Sequence, residues 1–220
     1  MSKKSDCVEN IEFEKYKILI NARNFHYDNF SKWASYFYIA IGALLVAYYT
    51  IISSEKKNFE EKELLIFLIL SLGYCFSCLW YWSTKGYYHW NINFITLVNN
   101  YEKEILKWKK EERLYFIHAN KERQNNYVSA IKGANISTSK IAILFAYIVT
   151  IAWGFLFFKN IFSYLPLKKD ISFSILVHLT SFLTSILSVY LLSNFFARKK
   201  LFNDINHFKD LKINYKEVDD

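Results

Sequence analysis

Ser174, His178, Ser181, Ser185 and Ser188 recur at intervals of four, three, four and three residues, the rhythm that sets side chains on one face of an α-helix. Thr184 borders them. Four hydroxyls and an imidazole in a row, inside an otherwise apolar stretch, must face protein or water rather than lipid. Small hydroxyls can let two helices approach closely and bond across the contact, at about 0.6 kcal/mol each. Alternatively, copies of this helix can surround an aqueous path, with His178 tuning its permeation or pH response. The second reading needs an oligomer, because four helices enclose little space. Both readings stay open at the level of sequence.

A second face carries small residues. Ala142, Ala146, Thr150 and Gly154 recur every four residues, the spacing that permits close backbone approach between membrane helices. Ala43 and Ala47 repeat it on a shorter scale. Either face can meet another helix of the same chain or of a second subunit. Cys75 and Cys78 form a C-x-x-C pair, but no βαβ pattern surrounds them and no further Cys or His pair offers the ligands zinc needs. With Ser71 four residues earlier they read as small packing residues. His26, His89, His118 and His207 are scattered singly, and no P-loop, nucleophile-elbow or H-E-x-x-H motif occurs. No enzymatic activity, catalytic residue, cofactor or metal site is therefore expected.

The elements that must position these faces follow from charge. Hydrophobic residues make up 53% of the 220. Stretches 33–54, 64–84, 141–158 and 171–197 contain no Asp, Glu, Lys or Arg and are 22, 21, 18 and 27 residues long. About 20 apolar residues cross a hydrocarbon core as a helix. Trp33, Tyr36 and Tyr38, and Trp80, Tyr81 and Trp82, stand near span ends, where amphipathic rings prefer to lie. The fold class is all-α integral membrane protein, with four transmembrane helices in two hairpins and a long amphipathic cytoplasmic helix between them.

The expected organisation is a cytoplasmic amphipathic helix over 1–32, a first hairpin over 33–84, a cytoplasmic helical segment over 85–140, a second hairpin over 141–197 and a cytoplasmic tail over 198–220. Arg198, Lys199 and Lys200 directly follow the last span, and Lys32, Lys85 and Lys140 flank the others. Basic residues favour the cytoplasmic side, so both termini are assigned there.

Residues 8–32 read as a helix running into the first span without a break, with Ile11, Ile18, Ala22, Phe25 and Asn29 on one face. Beyond the second span, Trp90, Phe94, Leu97, Tyr101, Ile105 and Trp108 are spaced four, three, four, four and three, predicting an amphipathic helix from Gly86 to about residue 117. This stripe can close a bundle with residues 8–32, join subunits or dock a protein partner. Residues 119–135 are expected to be a loop or short helices, with Ser137, Thr138 or Ser139 capping the third span. The net charge of +8 raises the question of nucleic acid, but five interspersed acids at 102–122 and five at 6–28 dilute the basic clusters and no binding motif appears. The lipid bilayer, further copies of the chain and a cytoplasmic protein are the expected partners.

Three strings carry a resemblance: Asn21-Ala-Arg-Asn-Phe-His-Tyr, Gly86-Tyr-Tyr-His-Trp-Asn-Ile-Asn-Phe and Gly133-Ala-Asn-Ile-Ser-Thr-Ser-Lys. With the helix–two-span–helix layout of roughly residues 10–118, the chain resembles the RipA-type octameric bacterial membrane proteins. It is more distantly similar to the SLATT-type membrane proteins, proposed pore-forming effectors of bacterial conflict and phage defence. The resemblance implies homo-oligomerisation and a defence or stress role, and transfers no site residue.

Overall fold

The computed structural model describes residues 2–54, 59–117, 127, 134, 136–164 and 171–201. Two long helices open the chain: α1 (Ser2–Ser53) and α2 (Phe59–Asn100), of 52 and 42 residues. After a π-helical turn (Tyr101–Ile105), a 3₁₀ turn (Lys110–Glu112) and the single turn α3 (Leu114–Ile117), two further long helices follow, α4 (Thr138–Ser163) and α5 (Ile171–Leu191). A second π-helical turn (Leu192–Ala197) leads into the short α6 (Arg198–Lys200). Four of these helices are long and apolar enough to cross a membrane. Every peptide group inside a helix satisfies its own hydrogen bonds, which hydrocarbon cannot do for it.

Helix α1 runs from the segment before the first span into it with no interruption, as the absence of Pro and Gly before Trp33 predicts. The carbonyls of Ile52 in its last turn and of Ser54 just past its end accept hydrogen bonds from Lys62 Nζ at 3.2 and 2.9 Å. This lysine thereby closes the first hairpin and places a positive charge at the negative end of the helix dipole. At the start of α4, Ser137 Oγ accepts from Lys140 N at 3.3 Å, so Ser137 is the residue that caps the third span.

The amphipathic helix expected from Gly86 to about residue 117 is corrected in two respects. It is no separate linker, because α2 runs through Gly86 in one piece from the second span to Asn100. It also ends early. At Tyr101 the backbone widens to π spacing, with Leu106 N–H donating to Tyr101 O at 3.1 Å, and just beyond it Trp108 N–H closes on Glu102 O at 2.9 Å. Lys107 then takes the left-handed region (φ 55°), reversing the chain. A lone left-handed non-glycine is uncommon; the bonds on either side of Lys107 hold it there. Of the expected loop 119–135, residues other than Tyr127 and Ala134 lie outside the described part, as does the tail beyond Leu201.

In the bundle, α2 contacts α1 on one side and α4 on the other, and α4 contacts α5. The core between them holds Leu70, Tyr74, Cys78, Trp153 and Val189, with Ile41, Leu44 and Tyr48 of α1 packed against it. Lipid is as apolar as leucine, so van der Waals fit rather than water exclusion draws these helices together. Fit is tightest at two glycines. A Cβ on Gly73 would overlap the indole of Trp153, and one on Gly154 would overlap Ser185 Oγ and stand 2.9 Å from Tyr74 Cε2. Gly42, by contrast, has open space around it. Gly154→Val should therefore lower the unfolding midpoint of the detergent-solubilised protein, by the equivalent of about 1–3 kcal/mol of overpacking, while Gly42→Val leaves it in place. Equal midpoints for the two variants would contradict this packing.

Candidate functional site

Helices α2, α4 and α5 share a polar seam inside the membrane. Thr150 on α4 divides its hydroxyl hydrogen between Ala146 O of its own helix (2.7 Å) and Ser77 O of α2 (2.9 Å). Ser185 on α5 donates to Ile151 O of α4 at 2.9 Å. Ser188 donates to Ser185 O at 2.9 Å, so the 2.5 Å bond between Ser188 Oγ and Tyr74 must be donated by the phenol. Nearer the end of the span, Trp82 Nε1–H donates to Ser193 Oγ at 2.9 Å. Side-chain hydroxyls can reach a neighbouring helix's backbone only where the two backbones lie close, and Gly73 and Gly154 create that closeness.

This seam divides the serine stripe of the last span. Ser181 and Ser185 are fully buried within the subunit, and Ser188 is half-buried. Ser174 and His178 are exposed. His178 Nδ1–H donates to Ser174 O at 2.6 Å, which leaves Nε2 as the ring's acceptor, and the ring lies 5.9 Å from that of Phe155. The small-residue face is likewise occupied from within: Ala146, Thr150 and Gly154 are buried and Ala142 is half-buried. Of the cysteine pair, Cys78 sits in the core and Cys75 is exposed.

A second polar centre forms outside the spans, where α1 meets the end of α2. Glu102 is fully buried, an expensive placement for a carboxylate unless its oxygens are hydrogen-bonded. Both are: Tyr16 OH donates to Oε1 at 2.5 Å, and the Leu114 N–H is shared between both oxygens at 3.2 Å. Burial, and then the bond to Glu102, push the Tyr16 phenol well above its ordinary pKa, so it remains a donor. Glu102 thereby ties α1, α2 and the first residue of α3 together. Around it, Tyr101 OH donates to Glu12 Oε2 at 2.7 Å, and its pKa is pushed up to about 12, first by burial and then by that bond. Tyr16 meets Trp108 edge-on with centroids 5.3 Å apart. Arg23 Nη1 donates to Tyr115 OH at 3.0 Å, Tyr27 OH donates to Asn91 Oδ1 at 2.6 Å, and Phe30 stacks on Tyr87 at 3.6 Å.

The aromatic stripe is split by this geometry. Trp90, Phe94, Tyr101 and Trp108 are half-buried, whereas Leu97 and Ile105 are exposed. The fully buried positions of this stretch are Val98 and Glu102, one residue along from the expected face. Sequence reasoning passed over Glu102 because a charged residue beside a stripe normally marks a solvated face. Tyr16 was hidden by its neighbours Lys15 and Lys17, and Gly73 by the large rings around it. A single glycine amid bulky apolar residues was the one signal available for the third.

Removing the Glu102 carboxylate should strand the buried Tyr16 hydroxyl and the half-buried Leu114 N–H. Glu102→Leu is expected to speed amide exchange at Leu114 by a factor of about ten or more, since each unsatisfied buried donor costs about 1–3 kcal/mol. Glu102→Gln, which retains an acceptor oxygen, should do so less. Unchanged protection at Leu114 in the leucine variant would show that the carboxylate is not the tie.

No curated protein and no solved structure matches the chain. Residues 13–162 match the octameric membrane protein family, a stretch that takes in most of α1 and all of α2 and α3 and ends one residue before the end of α4, with α5 beyond it. Four helices long enough to cross a bilayer, tied by a polar seam within it and a buried carboxylate outside it, stand in a chain that belongs to the octameric membrane protein family, 8xMP.

Proposed function

We propose that this chain is the repeating subunit of a homo-octameric bacterial inner-membrane assembly that forms a pore or otherwise perturbs the membrane, without catalysing a reaction. The family's description supports the octamer. The observation that carries the pore is the exposure of Ser174 and His178 on a membrane span whose other stripe residues are turned inward. His178 lies seven residues into α5, roughly 10 Å along the helix. A polar, ionisable group at that depth belongs against water or a neighbouring subunit rather than lipid. A pore lined by this end of α5 supplies both. The resemblance to membrane effectors of bacterial conflict supports a defence or stress role.

Arg198, Lys199 and Lys200, immediately after the last span, support an orientation with both termini in the cytoplasm. In that orientation the Glu102 centre faces the cytoplasm and the exposed His178 end of α5 lies toward the opposite side. The pore reading predicts that His178→Leu changes ion flux through liposomes at least several-fold while the subunit count stays the same. Ser181→Leu, which disturbs internal packing, should instead lower stability. Flux unaffected by His178→Leu in an intact assembly would remove this end of α5 from any pore lining.

A second reading, a non-catalytic scaffold or regulatory subunit that docks a protein partner through its cytoplasmic helices, draws on Leu97 and Ile105, which remain exposed beside the packed aromatic residues. Under it, Leu97→Glu abolishes partner capture and spares insertion and flux. Capture that survives this substitution would dispose of the scaffold reading.

A further inference from the structure

Helix α1 carries two faces that run along it from Ile11 to Tyr48. The inner face, with Tyr16, Tyr27, Phe30, Ile41, Leu44 and Tyr48, packs on α2 and the core. The outer face repeats with a seven-residue period. Ile11, Ile18, Phe25, Ile39 and Val46 are one, one, two and one heptads apart and are 50, 67, 70, 70 and 67% exposed. Lys32 occupies the intervening position. Four residues after each of Ile18, Phe25, Lys32 and Ile39 stand Ala22, Asn29, Tyr36 and Ala43, all exposed. Spacings of four and three along one face are the a/d pattern by which one helix receives another with a slight left-handed twist.

From this seam we infer that the outer face of α1 is the subunit interface of the assembly, occupied by a helix of a second copy of this chain. The inference rests on the octameric reading above. Its length across two media selects the occupant. Ile11, Ile18 and Phe25 precede the span, where water would wet them; Ile39 and Val46 lie within it, where lipid would suffice. A soluble protein covers only the first group and lipid only the second. An occupant that covers both is itself a helix that crosses the bilayer and continues out of it on the same side. This chain's α1 and α2 are helices of that build, 52 and 42 residues long. No residue in the most apolar window of α1 is buried within the subunit, in contrast to the other three spans. A closed ring of identical subunits needs a contact between two different faces of each. The seam is one of them, and it meets another face of the neighbouring copy.

The test uses the full chain in nanodiscs. A photo-cross-linking residue at position 18, on the seam, should yield adducts at multiples of the chain mass. The same probe at Asn24, exposed but off the seam, should yield at least tenfold less. In parallel, particle mass is measured for the unaltered protein and for Ile18→Asp combined with Phe25→Asp, which should shift octamers to smaller species. If the unaltered protein is octameric but position 18 gives no chain–chain adduct, or reacts with lipid or with another protein, the seam is overturned and the octamer stands. If the unaltered protein is monomeric, both readings fall. The cross-link decides the matter even if the double variant does not fold.

Discussion

The Trp153 indole lies where a side chain on residue 73 would have to be, and that one contact sets the separation of α2 and α4. At ordinary helix distances a threonine hydroxyl on one helix does not reach the backbone of the next. Here Thr150 reaches Ser77 O because the glycine lets the backbones close. Gly154, one residue beyond Trp153, does the same for α5, admitting Ser185 and Tyr74 to the same small volume. Without a hydrophobic drive between helices in lipid, dispersion contacts and these few hydrogen bonds are what is left to hold the bundle. The arrangement of α2, α4 and α5, and with it the orientation of every residue on the last span, follows from that approach.

Outside the spans the governing requirement changes. Here water competes for every polar group, so a buried carboxylate persists only if protein donors replace it. Glu102 meets that requirement with one side-chain donor from α1 and one backbone donor from α3. The π-helical turn and the left-handed Lys107 after it make the second possible, because together they end α2 and turn the chain back upon itself. The first hairpin is thus clamped at both ends: by Lys62 on the carbonyls that close α1 at one, and by Glu102 at the other.

The division of polar from apolar faces separates internal from external work. Serines and threonines that look like a continuous functional row are largely consumed by contacts within the subunit, and only Ser174 and His178 remain on its surface. Conversely, the heptad seam of α1 looks like a core-facing stripe and is turned outward. Helices have room for more than one apolar stripe, and the stripe that wins the internal contact is the one whose partners also bond.

Charge and length in the chain were enough to determine the four membrane helices, their hairpin order and the unbroken run of the first helix into its span, while the cap of the third was narrowed to Ser137, Thr138 or Ser139. These are properties of a segment and its solvent, since hydrocarbon excludes charge and unpaired peptide groups whatever the neighbours are. Which face of each helix turns inward was not legible. The stripes of Ile11 to Asn29 and Trp90 to Trp108 satisfy helical periodicity as well as the faces used, and the end of α2 at Tyr101 carries no Pro or Gly to mark it. Those choices depend on partners distant in the chain: Trp153 against Gly73, Ser185 against Gly154, and Tyr16 against Glu102, 86 residues away. Only the tertiary structure decided them, because close packing and paired burial of polar atoms are properties of two surfaces together and not of either sequence alone.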